Sequence, residues 1–174
     1  MRDIKFRGKT KINNEWIIGS YFYTDDNKNN PFRRGPFKEK HQILFYHASD
    51  WNLGGWDFEE VDKETIGQFT GLKDKNDKEI YEGDILHIKQ YENNGYRIFG
   101  TDVSFPNCFT ADECKGKLLR EGNGAVYFIE GCMCVGDMYI SALFGDMRYS
   151  FPIFEFEIIG NIYDNPELIK EEQK

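Results

Sequence analysis

The sequence predicts a mainly β protein, and three observations carry that prediction. Apolar and polar residues alternate with period two through most of the patterned segments, clusters of Asn, Asp, Gly and Pro punctuate them, and strong helix-capping signals gather only near the C-terminus. Ile4 and Phe6 alternate with Lys5, Arg7 and Lys9, which predicts a strand with one wet face, and a second strand follows from Trp16 to Tyr23 after the turn 11–14. Residues 24–40 hold two prolines among many turn formers and predict a long exposed loop. His41–Tyr46 is the next strand candidate, and Ser49–Trp56, with Gly54 and Gly55, is a turn-rich connection.

Residues 66–72 and 79–91 then predict two strands around the polar hairpin loop Lys73–Asp77, with a bend or bulge at Gly83-Asp84. Residues 92–124 are polar and contain glycine, so they are expected to be an excursion with at best one short helix in 111–120. Strand patterning resumes over Gly124–Val135, broken at Gly131, and again over Phe151–Tyr163, where Phe154, Phe156 and Ile158 oppose Glu155 and Glu157. Asp164-Asn165-Pro166-Glu167 then opens a short C-terminal helix with an Asn cap, Pro at the first helical position and an early acid.

A chain of 174 residues is long enough for one domain or two small ones. Its 40% hydrophobic and 16% aromatic content argues for an ordered core despite 30% charge. No apolar run approaches the roughly 18 residues that span a bilayer, and the start of the chain has no signal-peptide core, so a cytoplasmic location is expected. In that reducing compartment the four cysteines are expected as thiols. The formal charge of −8 is unevenly spread: residues 1–50 carry ten Lys or Arg against six Asp or Glu, and residues 51–174 carry twelve against twenty-four. An acidic body repels a phosphate backbone, which disfavours non-specific nucleic-acid binding by the whole protein but leaves a basic N-terminal face available.

Met1-Arg-Asp-Ile-Lys-Phe-Arg-Gly-Lys9, Trp16 with Gly19, the Val61–Leu86 segment, and Glu157-Ile-Ile-Gly-Asn-Ile-Tyr-Asp-Asn-Pro-Glu-Leu-Ile169 together resemble the YopX-like family of phage and prophage proteins from Gram-positive bacteria. The resemblance implies an SH3-like β-barrel in the C-terminal domain, beginning near Tyr81-Glu-Gly-Asp-Ile85, behind a small N-terminal β region. On that basis residues 1–64 form the N-terminal region, and residues 65–174 form the barrel domain with an insertion at 92–124 and the terminal helix. It implies no activity. Asp77 stands where the family usually has Gly, and Phe69 where it usually has Tyr. The first exchange is expected to demand a different turn geometry, because Gly tolerates positive φ far better.

Cys132-x-Cys134 and Cys108-x5-Cys114 are the only grouping with a zinc reading, but both lack the Cys-x2-Cys knuckle, so buried or half-buried thiols and no cofactor are expected. His41, His47 and His87 are scattered, and no triad wording surrounds any Ser or Cys, so no enzyme is expected. Glu155 and Glu157 share a strand face as acid–base chemistry would need, and as an ordinary solvated face also requires. Asp74-x-Asn76 starts like a calcium loop, which Lys78, Glu79 and Ile85 at the later ligand and Gly positions rule out. Lys5, Arg7 and Lys9, with Arg33 and Arg34 in the loop near Phe32 and Phe37, are the candidate partner-binding residues. Basic residues among aromatics can hold single-stranded nucleic acid, and they also blunt a sheet edge.

The expectation is therefore a non-enzymatic phage accessory protein that binds a host or phage protein, or copies of itself as a trimer or other cyclic assembly. A nucleic-acid module using the basic face is the alternative, and an enzyme with dispersed site residues a further one. No membrane partner is expected.

Overall fold

The computed structural model describes residues 4–25, 39–47, 54–93, 115–129, 132–139 and 153–172. The chain is mainly β and divides into two compact units, Met1–Gly71 and Leu72–Lys174. Among the described residues neither unit's sheet closes into a barrel, and no helix is long and apolar enough to cross a membrane.

The first unit is built from β1 (Phe6–Lys9), β2 (Trp16–Asp25), β3 (Glu39–His47), β4 (Gly55–Glu60) and β5 (Gly67–Lys73), the last running on past the boundary at Gly71. They lie in the order β4-β3-β2-β1-β5, with antiparallel pairing throughout. The β1–β2 turn closes where the Thr10 N–H donates to the Glu15 carbonyl at 2.9 Å. An isolated bridge from Thr10 to Val61, with Lys11 N–H on Glu60 O at 3.0 Å and Asp62 N–H on Lys9 O at 2.8 Å, brings the end of β4 back to the end of β1. The sheet therefore curls and gains an inner face, where Ile43 and Val61 are fully buried and Phe6 packs on Tyr21 with ring centroids 5.5 Å apart.

That curl needs a close approach of β2 to β3 at Gly19. A Cβ there would overlap the Leu44 carbonyl oxygen and lie 2.9 Å from Ile43 Cγ2. Behind β4, Asp62 caps the 3-10 turn Lys63–Thr65 by accepting the Glu64 N–H at 3.2 Å, and Thr65 Oγ1 accepts the Lys9 N–H at 2.9 Å. β4 itself corrects the sequence reading, which ends a connection at Trp56 and places no strand over 57–60. Its Trp-Asp-Phe-Glu alternation is short, and pairing with β3 through Gln42–His47 fixes it as a strand.

The second unit holds β6 (Glu79–Tyr81), β7 (Asp84–Asn93), β8 (Lys115–Ile129), β9 (Cys132–Val135), β10 (Met138–Tyr139), β11 (Ile153–Asn161) and a 3-10 helix over Pro166–Glu172. Its five-stranded sheet runs β10-β9-β8-β7-β11. β8 pairs with β7 as far as Ala125 and with β9 from Val126 onward, so one long strand serves two neighbours in succession. Of the expected excursion over 92–124, residues 92–93 end β7 and residues 115–124 belong to β8, so 115–120 are strand, not the helix allowed for in 111–120, and residues 94–114 lie outside the described residues.

Period-two alternation sends Leu86 and Ile88 of β7, Val126 of β8, and Phe154, Phe156 and Ile158 of β11 to one side. There they meet Ile80, Met133 and Val135 in one core cluster. The terminal segment forms a seven-residue 3-10 helix, longer than the three or four residues at which the tighter i to i+3 pattern usually stops. Its approach is fixed by Asn161, whose Oδ1 accepts the N–H groups of Tyr163 at 3.0 Å and Asp164 at 2.9 Å.

Two turns hold the front of this unit. Gly83 has φ +84°, and a Cβ there would meet Tyr163 Cε2 at 2.9 Å, so the β6–β7 bend accepts only glycine without strain. Asp84, 2% exposed, accepts the Tyr81 N–H at 2.8 Å across that bend. In the 73–79 hairpin Asp77 sits at φ +64°, the left-handed region that glycine favours. The exchange of Gly for Asp is therefore accommodated within a left-handed turn position, because Asp tolerates that region better than most side chains.

Candidate functional site

Residues paired directly across antiparallel strands share a face. Ser20 lies opposite Leu44 and Leu44 opposite Phe58, Phe22 lies opposite Gln42, and Tyr46 lies opposite Trp56. Trp16, Ile18, Phe22, Leu44, Tyr46, Trp56 and Phe58 consequently stand on the outer face of the first unit, away from Ile43 and Val61. Four of them are largely exposed: Trp56 at 71%, Tyr46 at 58%, Phe58 at 55% and Ile18 at 49%. The rings are organised, with Tyr46 and Trp56 edge to face at 5.5 Å and Phe22 and Phe58 edge to face at 6.1 Å. Scattered exposed hydrophobes are ordinary, whereas a group on one sheet face marks an interaction surface.

The basic residues of β1 join this face. Arg7 lies opposite Ile18 and Lys9 opposite Trp16, while the Phe69 N–H bonds the Lys5 carbonyl at 2.8 Å. The Arg7 guanidinium carbon is 4.6 Å from the Trp16 ring centroid, Lys9 Nζ is 5.4 Å from the same ring, and Lys5 Nζ is 5.4 Å from the Phe69 ring. Each of the three candidate cations is therefore seated on an aromatic face, where cation–π attraction and stem packing hold it. Lys9 is only 8% exposed, so it steadies Trp16 more than it reaches outward. Lys11 leaves the strand and pairs with Glu60 at 2.5 Å. Arg33 and Arg34 lie outside the described residues, as do Phe32 and Phe37.

Sequence reading passed over Trp56, Phe58 and Tyr46 as surface residues, because the Gly54-Gly55 turn signal masks the start of β4. The Trp-x-Phe alternation over 56–58 was the available signal.

A second, charged face lies on the second unit. Register places His87 between Asn123 and Glu157, and Lys89 between Glu121 and Glu155. His87 Nε2 is 2.9 Å from Glu121 Oε1 and its Nδ1 2.9 Å from Asn123 Oδ1, while Lys89 Nζ is 3.4 Å from Glu121. The His87 hydrogen bond, with help from Lys89, outweighs the opposing desolvation and holds the Glu121 carboxyl below the usual glutamate range. Lys75 Nζ bonds Glu157 at 2.7 Å, and that bond raises the ammonium above its ordinary value. Glu155 and Glu157 thus belong to an ionic lattice in which acids and bases alternate across strands.

The remaining candidates do not converge. His41, 9% exposed, is in β3 with Nδ1 2.7 Å from the Tyr21 hydroxyl; His47 is at the other end of β3, and His87 is in β7. Cys134 is a core residue of β9 at 1% exposure, Cys132 starts that strand, and Cys108 and Cys114 lie outside the described residues. Among the described residues no group of three or more His, Cys, Asp and Glu side chains is arranged to hold a metal ion. No curated protein matches the chain. A family model described as YopX protein matches residues 5–170, and by that match the chain belongs to the YopX family.

Proposed function

We propose that this chain is a non-enzymatic phage or prophage accessory protein, acting in the bacterial cytoplasm, that docks a macromolecule on the outer aromatic face of its first unit. One observation carries the reading: Ile18, Tyr46, Trp56 and Phe58, between 49% and 71% exposed, stand on the same side of one sheet. Leaving such side chains in water costs about 1.5–3 kcal/mol each relative to burial, which a partner's surface would recover. We further read the second unit as an SH3-like barrel. Its support is β8, which serves β7 and β9 in turn, with β11 on the far side of β7 carrying a bulge between Ile158 and Gly160.

The test compares the wild type with a Trp56→Ser, Phe58→Ser double variant as baits in bacterial lysate, with and without nuclease. Proteins and nucleic acid retained by the wild type and lost by the variant support the reading; identical captured sets overturn it. Self-association is a second reading, favoured by the excess of bases in residues 1–50 and of acids in residues 51–174. Sedimentation equilibrium distinguishes it, since a wild-type trimer or other closed assembly would weaken as salt rises.

A further inference from the structure

We infer that the occupant of the outer aromatic face is a second copy of this chain, set face to face across a two-fold axis, an inference that rests on the docking role proposed above and names the partner. The first support is what the face is made of. On β2–β4 its centre consists of Ile18, Ser20, Leu44, Tyr46, Trp56 and Phe58, and none of these side chains carries a charge. Interfaces between identical subunits are more apolar than contacts with transient partners, which resemble ordinary protein surface. An uncharged apolar face is also complementary to itself, as a two-fold contact requires.

The second support is area. Taking roughly 150–250 Å2 for a large aromatic side chain and slightly less for isoleucine, the exposed fractions of Trp56, Tyr46, Phe58 and Ile18 leave about 450 Å2 per copy in water. Two such faces bring together about 900 Å2, and half-buried Phe22 and Leu44 with exposed Ser20 carry the contact past the roughly 1,000 Å2 that a specific interface needs. At this low end of the size range a micromolar Kd is expected.

Strand addition at the edge of β4 is the competing way for two copies to join, and that edge is blunted. The Val61 N–H donates to the His41 carbonyl at 2.8 Å, so by alternation Phe58 and Glu60 direct their backbone groups away from β3. Asp57 Oδ1 accepts the Phe58 N–H at 2.8 Å, and the Glu60 carbonyl accepts the Lys11 N–H at 3.0 Å. Both outward groups are thus engaged within the chain, which leaves the face as the surface for association.

The experiment is sedimentation equilibrium of the whole chain from about 1 to 200 μM, at about 50 and 500 mM salt. A monomer–dimer equilibrium is expected whose Kd changes less than about twofold with salt, because the contact is apolar, whereas the charge-driven closed assembly considered above would weaken. Trp56→Ser removes a ring from both sides of a two-fold contact and should weaken it at least about 30-fold, and Trp56→Phe much less. Circular dichroism establishes that both variants fold. Fluorescently labelled Trp56→Ser mixed with excess unlabelled wild type should associate more weakly than labelled wild type does, whereas a head-to-tail contact would let it bind equally well through its intact second surface. A monomer at the highest concentration, an assembly larger than a dimer, association that salt dissolves, a Kd unchanged in Trp56→Ser, or a labelled variant that binds as tightly as wild type overturns the inference. If the wild type stays monomeric while the Trp56→Ser, Phe58→Ser variant still loses partners from lysate, the second copy falls and the docking face stands; if neither depends on these rings, both fall.

Discussion

Asp74 offers the most demanding test of how the second unit is held together. Its side chain is 7% exposed, yet it is surrounded by donors: Oδ1 accepts the N–H groups of Asn76 at 2.8 Å and Lys78 at 2.9 Å, and Oδ2 accepts the Ile158 N–H at 3.2 Å. Burial pushes this carboxyl up, but the donated N–H bonds from Lys78, Ile158 and Asn76 together outweigh it and hold the group below the usual aspartate range. Asp74→Asn keeps one acceptor for the hairpin turn and replaces the other with an NH2 group facing the Ile158 N–H.

Two donors then face each other in a buried site. Losing a charged acceptor and stranding a backbone donor should cost about 2–3 kcal/mol. Because the folded-state pKa is depressed, the carboxylate's contribution is fully present above the unfolded value near 3.9 and disappears as pH falls through the folded value. The assay is urea unfolding of wild type and variant by far-ultraviolet circular dichroism, since residues 72–174 contain no tryptophan. The gap between the two proteins should be widest at neutral pH and narrow steadily below about pH 4. Equal stability at pH 7, or a gap unchanged at pH 2, would refute the reasoning.

Other expectations follow from the same kind of accounting. Gly83→Ala should destabilise by about 2 kcal/mol or more, from positive φ and the approach to Tyr163, and a variant that melts with the wild type would contradict the glycine-only bend. Asp77→Gly should raise stability by roughly 0.5 kcal/mol, because the exposed Lys73 pair it removes is worth little; a drop in the urea midpoint would show that the pair matters more than the backbone. Carbon-detected NMR should find the Glu121 carboxyl titrating below its ordinary range and moving up in His87→Gln, with the pairing lost as pH falls through the depressed value; an unmoved titration would rule out the His87 bond as its cause. Trp56→Ser should leave the melting curve nearly unchanged while abolishing outer-face binding, and a large loss of stability would mean that this ring belongs to the core instead.

Much of the strand order was readable because β1, β2, β3, β5, β7 and β11 each bury one face, so burial imposes alternation on their residues. β8 was not. Its first half, Lys115-Gly-Lys-Leu-Leu-Arg-Glu-Gly-Asn-Gly124, has Leu118 and Leu119 adjacent and exposed at 41% and 51%, so no period-two signal survives, and pairing with β7 decides its conformation. The basic residues of β1 were visible, but their seats on Trp16 and Phe69 depend on cross-strand register, which spacing along the chain does not encode. Trp56 and Phe58 were hidden for the same reason: whether an alternating apolar pair faces core or water is settled by the curl of the sheet. The left-handed Asp77 shows how a side chain holds such a turn position, since Asp tolerates that region better than most residues and its carboxylate bonds Lys73.

The bond from Asp74 to Ile158 also has a consequence for synthesis. It joins positions 84 residues apart, so during translation the front hairpin emerges long before its acceptor meets the donor. The interval exposes Ile80, Leu86 and Ile88 on strands that lack β11, the condition in which nascent β proteins associate wrongly or recruit chaperones. The first unit, Met1–Gly71, contains all but the last two residues of β5 and is made before any of β7. A ribosome-stalling series should therefore show protease resistance arriving in two steps, the second only after Ile158 has cleared the exit tunnel.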